Sequence, residues 1–177
     1  LRARRGRQPH LLVLPWGQRP GPAASRTLQA MANRLEIAGA QVSISDPVPY
    51  GDESAAGEAL AKSDAPALIL ALLPAIVTPE SEIHGEFIDR IIEACGPKLP
   101  VVVLIDESSF VARLGSDLDA GRRLDQRRSA WQRLLTGRGG TMRDPLFVNL
   151  ERDDPAVLAQ AVHEHAQPGH DSAMLPR

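Results

Sequence analysis

Pro100-Val101-Val102-Val103-Leu104-Ile105-Asp106-Glu107-Ser108-Ser109-Phe110 runs through five consecutive apolar residues and then stops at two carboxylates and two hydroxyls. A strand with one face on water alternates apolar and polar side chains. An unbroken apolar run instead buries both faces of the pleat, as a central parallel strand does when helices cover each side of its sheet. The polar cluster then falls at the strand's carboxyl end, where open α/β sheets place their ligands. Asp106, Glu107, Ser108 and Ser109 are therefore candidate ligand-binding residues, and Asp106 and Glu107 could hold a metal with one more carboxylate, for which Asp46 and Glu80 or Glu82 are the candidates. A plainer reading has Glu107 or Ser108 capping a short helix through Leu114, with Asp106 pointing to water.

Working outward, Ala65–Leu73 is a second almost continuous apolar run and so a second central strand. Leu11–Pro15 is a short apolar strand that ends in the breaker-rich loop Trp16–Pro22. Gln41–Asp46 alternates Val42 and Ile44 with polar residues, and Leu146–Leu150 supplies a last strand. Between the strands, Leu28, Met31, Leu35 and Ala38 recur at helical spacing, with Ser25 as cap and Gly39 as stop. A weak helix spans 53–62. Glu80–Ala94 follows with a core-facing stripe of Ile83, Phe87, Ile91 and Ile92, then a helix over 118–136 anchored by Trp131. Asp154–His165 closes the pattern, with Asp153 or Asp154 as its cap. Five strand–helix alternations predict a three-layer α/β fold: a mainly parallel five-stranded sheet, order 2-1-3-4-5, with helices on both faces. Residues 10–166 read as one domain, 1–9 as a basic flexible leader and 167–177 as a disordered tail.

At 177 residues and 43% hydrophobic, the chain can bury about 70% of its unfolded surface as one domain. Its 20 basic and 22 acidic residues leave a net charge of −2, which argues against a general nucleic-acid binder. The single cysteine, Cys95, allows no internal disulfide and suits a reducing, cytoplasmic setting as an inert, partly buried thiol. No apolar run reaches the ~20 residues that span a bilayer. The chain opens on Leu1 with four arginines in its first seven residues. That composition suits either a solvated leader or a cytoplasmic segment following a membrane helix that precedes residue 1, which would place the chain at the inner face of a membrane.

In layout, residues 10–166 resemble a G domain of the small GTPase superfamily. Leu11–Gly17 stands where that family has its first strand and phosphate loop. Asp46-Pro47-Val48-Pro49-Tyr50-Gly51 stands in place of Asp-x-x-Gly with two residues too many, and Leu99–Asp106 in place of the strand leading to the guanine motif. Phe147-Val148-Asn149-Leu150 takes the place of the last strand. The resemblance implies a ligand edge that includes Gly17, Gly21, Ser25 and Asp46. The chemistry of the family is missing, however. A phosphate loop needs Gly-x-x-x-x-Gly-Lys-Ser/Thr; here Gly17 and Gly21 are one residue too close, no lysine follows, and Pro20 and Pro22 remove two amide donors. Ile105-Asp106-Glu107-Ser108 replaces Asn-Lys-x-Asp. The remaining layout resembles the soluble domain of a bacterial membrane-anchored family encoded beside a GTPase-like partner.

Other candidate chemistry is sparse. His84, four residues after Glu80, reads as an exposed helix histidine, with a general base as the alternative. His163 and His165 lie two apart on different helix faces, poor geometry for one metal ion. His10 and His170 lie in the flanks. No nucleophile elbow, Cys/His pair or dinucleotide fingerprint is present, so neither catalytic residues nor a cofactor or resident metal is expected. Residues 113–143 hold eight arginines among several aspartates. Arg122, Arg123, Arg127 and Arg128 could form a ridge for an acidic partner or an anionic lipid surface, or simply a solvated helix face. Two functional expectations follow. One is a non-catalytic G-domain-like module that binds a protein partner, with a GTPase-like protein as the candidate. The other is a small-molecule or nucleotide-binding enzyme or sensor with its site at the strand ends.

Overall fold

The computed structural model describes residues 10–35, 41–47, 55–62, 66–96, 99–136 and 144–166. The leader 1–9, the helix end expected at Ala38 and Gly39, the Val48–Gly51 part of the Asp46–Gly51 stretch, the loop Gly137–Gly140, and the tail 167–177 with His170 lie outside the described residues. Five strands, β1 (His10–Pro15), β2 (Gln41–Ile44), β3 (Leu68–Pro74), β4 (Val101–Asp106) and β5 (Leu146–Val148), form one sheet of order β2-β1-β3-β4-β5. Every pairing is parallel. The expected three-layer architecture and strand order are the observed ones.

The pleat explains why the two central strands had to be apolar throughout. Leu68, Leu70 and Leu72 of β3 point to one face, where they meet Leu28 and Met31 of α1 (Pro22–Arg34) and Leu158 and Val162 of α6 (Pro155–Ala166). Ile69, Ala71 and Leu73 point to the other. There they meet α3 (Glu86–Cys95), α4 (Ser108–Leu114) and α5 (Ala120–Leu135), with Ala59 and Leu60 of α2 (Ala55–Lys62) packed beside them. Each fully buried leucine of this kind contributes about 1.5–3 kcal/mol. No helix among the described residues is long and apolar enough to cross a membrane.

Element ends differ from the sequence expectation where hydrogen bonds outweigh pattern. Helix α1 begins at Pro22, because extended Gly21 serves as N-cap and a proline in the first turn loses only an amide that would have no helical partner. Ser25 is therefore not the cap. Its N–H donates to Gly21 O (2.9 Å) and its hydroxyl to Pro20 O (3.3 Å). Strand β5 stops at Val148 because Asn149 turns away, its N–H donating to the Asp153 carboxylate (2.8 Å). Asp154 takes the capping role at α6, accepting from Ala156 N–H (3.0 Å). Helix α3 is preceded by one π-helical turn, Ser81–Gly85, in place of a regular start at Glu80.

Candidate functional site

The order β2-β1-β3 reverses direction at β1, so the crevice outside the carboxyl ends of β1 and β3 is where this architecture would seat a ligand. Trp16 N–H donates to Leu72 O (2.9 Å) and Ala75 N–H to Asp106 O (2.9 Å), which fixes both strand exits in line with the end of β4. Three groups converge on this edge: the loop after β1, the segment from Ala75 through the π turn, and Asp106–Ser109 with the middle of α5.

The carboxylates predicted for a ligand are held by the protein itself. Asp106 does not point to water. It accepts from Ser108 N–H (3.1 Å), the Ser108 hydroxyl (3.0 Å) and Leu150 N–H (3.2 Å), so it caps α4 and ties that helix to the chain beyond β5. Glu107, 4% exposed, makes no cap bond; both its oxygens accept from Arg128, from Nε at 2.5 Å and from a terminal nitrogen at 2.7 Å. Such a bidentate pair gives a buried carboxylate both its hydrogen bonds and its counter-charge. Ser108 is buried and Ser109 exposed. Among the described residues no three His, Cys, Asp or Glu side chains converge on a point, so the metal alternative built on Asp106, Glu107, Asp46 and Glu80 or Glu82 lacks a ligand set.

The glycine loop has the position but not the form of a phosphate cradle. Gly17 has φ of +77°, and a Cβ there would meet nothing within 4 Å. The glycine serves the turn, where Gln18 N–H donates to Trp16 O (2.9 Å), and not a close approach to another group. Across the loop Arg19 pairs with Asp46 at 3.0 Å, with 95% of the Asp46 side chain exposed; a pair this open contributes at most about 1 kcal/mol.

The four arginines do not share one ridge. Arg122 pairs with Asp119 (3.2 Å) and Arg123 with Asp117 (2.9 Å) on the outer surface. Bonds from the Asp119 N–H and from Arg123 hold the Asp117 carboxyl below its ordinary range. Arg127 and Arg128 turn toward the sheet edge instead. Arg127 lies over the Phe110 ring, 4.9 Å from its centre, and donates weakly to Ala75 O (3.4 Å) and Ile76 O (3.3 Å). Trp131, fully buried, donates its indole N–H to the same Ala75 carbonyl (3.4 Å).

His84 is the residue that sequence reasoning placed wrongly. It is 1% exposed, wedged between Trp16 (ring centres 4.5 Å apart) and Trp131 (4.9 Å), both edge-on. Its Nδ1 accepts Glu80 N–H (2.9 Å), so in the neutral ring Nε2 carries the proton. That buried Nε2–H has no partner among the described residues. Burial pushes the pKa down to about 4. A neutral imidazole with one nitrogen engaged and the other protonated cannot take up a proton as a general base; it can only donate. The signal was present, since His84 stands three and four residues before Phe87 and Ile88, on the face they bury. A stripe drawn through Ile83 left it outside.

Neither a family model nor a curated protein matches this chain.

Proposed function

We propose that the chain is a non-catalytic, G-domain-like interaction module, the cytoplasmic part of a larger membrane-anchored bacterial protein, and that it docks onto a protein partner of the GTPase-like kind. One observation carries this reading: the carboxylates at the strand ends are bound to the protein's own groups, Asp106 to the start of α4 and Glu107 to Arg128. Phosphoryl transfer needs groups free to orient a nucleophile and to neutralise developing charge on the phosphate. No lysine stands in the glycine loop, and the imidazole at the edge is not a base. The docking surface best supported is the turn between α4 and α5, with the start of α5. Leu118 there is fully exposed between Asp117 and Asp119, and Arg122 and Arg123 stand beside it at the surface. Because the arginines are already paired with neighbouring aspartates, the apolar Leu118 side chain would carry most of the affinity. Electrostatics would set orientation.

With magnesium and GTP, the purified chain is expected to show no turnover above buffer; reproducible turnover overturns the reading. In the source cell, crosslinking through this turn should give a defined partner that the triple variant L118D/R122E/R123E loses. Retention of that partner at full yield would move the docking surface elsewhere.

A further inference from the structure

The carboxyl edge of the sheet has a surplus of donors. Its carboxylates, Asp106 and Glu107, are saturated by internal partners. Two donors are not. The Nε2–H of His84 is buried and unpartnered among the described residues, a condition that costs free energy until an acceptor arrives. Arg127 has no carboxylate partner among the described residues, and only one of its terminal nitrogens is engaged, by two carbonyls at the limit of hydrogen-bonding distance. Trp131 links the two: His84 packs edge-on against its ring, and Arg127 donates to the same Ala75 carbonyl as its indole N–H. Partial desolvation and the like charge of Arg123 act together on the Arg127 guanidinium and lower its pKa, which marks an uncompensated positive site.

We infer that this edge binds a small oxyanion, a phosphate or a carboxylate, held by the free edge of the Arg127 guanidinium with the His84 Nε2–H as second donor. Guanidinium recognises both anions bidentately. Of the two indoles enclosing His84, Trp131 is fully buried and Trp16 only half-buried, so Trp16 is the cover that shifts, with Gly17 beside it tolerating the backbone change. The site differs from the Gly17–Gly21 loop and from Asp106–Ser109, and it does not depend on the docking surface at Leu118.

The chain's two tryptophans both flank His84, so tryptophan fluorescence, excited selectively over Tyr50, reports on this site. At low ionic strength, titration with pyrophosphate and separately with citrate should give a saturable fluorescence change and a rise in thermal midpoint with at least one of them. Which anion binds more tightly distinguishes phosphate from carboxylate. R127M keeps an unbranched apolar side chain and removes the guanidinium that lies over Phe110; it should weaken binding about tenfold or more. H84F keeps an aromatic ring and should weaken it severalfold, while R122A, at the outer surface, should leave it unchanged. The inference is overturned if neither anion gives a saturable response up to millimolar concentration. It is overturned equally if R127M binds as the parent does, or if R122A weakens binding as much as R127M, since the attraction would then be diffuse. GTP turnover and partner capture are separate readouts, so failure here leaves the proposed module intact and failure there leaves this site standing.

Discussion

Cys95 and His84 are both drawn out of water, and burial moves their protonation in opposite directions for one reason. Desolvation disfavours whichever form is charged, so the thiol rises to about 11 and the imidazole falls to about 4. For Cys95 the consequence is inertness, as its place near the end of an apolar helix suggested. Its reaction with a disulfide reagent near pH 8 should be slower than that of an exposed thiol by a factor on the order of a hundred, because so little thiolate is present; a rate matching free cysteine would contradict the half-buried geometry. His84 was harder to read. A histidine at helical spacing is equally compatible with water and with core, and what resolves it is the company of Trp16 and Trp131, brought from positions 68 residues before and 47 after it in the chain.

The short helix α4 shows how an element is held by partners distant in sequence. Its seven residues cannot form a stable helix alone. Asp106 binds its first turn and reaches Leu150, 44 residues on, while Glu107 at its N-cap is clamped by Arg128 from α5, 21 residues on. Removing Arg128 would leave a buried carboxylate without its counter-charge. R128M should therefore destabilise the protein by about 3 kcal/mol or more in denaturant unfolding, and E107Q/R128M should recover a good part of that loss. Equal destabilisation in single and double variants would mean that Arg128 acts through packing alone. The polar residues after β4 were legible as a group from the abrupt end of the apolar run. Their roles were not, since nothing local to Asp106 or Glu107 announces Leu150 or Arg128.

Over the molecule, His84 couples stability to pH. Its folded value of about 4 lies below the ordinary 6.5, so the folded state binds the proton less well than the unfolded one. Above about pH 6.5 both states are neutral there and its contribution is fully present. As pH falls from 6.5 toward 4 the unfolded chain takes up a proton that the folded chain refuses, and stability falls by about 3 kcal/mol; below 4 this site adds nothing further. Chemical denaturation across this window should show the decline in the parent and lose this component in H84F; an unchanged slope in H84F would assign the decline to other groups. The sheet itself could be read from residue order: unbroken apolar runs at β3 and β4, further apolar or alternating strands at β1, β2 and β5 and helices between them are local patterns, and parallel strands with helical crossovers have few other ways to bury both faces. Function-bearing detail followed another rule. Whether a carboxylate is free or engaged, and whether an imidazole or guanidinium has an acceptor, depends on side chains tens of residues away, as with Arg127 and Trp131 on the Ala75 carbonyl across 52 and 56 residues. Residue order alone sufficed for the architecture because burial periodicity is local. The donor-rich edge emerged only from the folded chain, because hydrogen-bond satisfaction is set by contacts that folding creates.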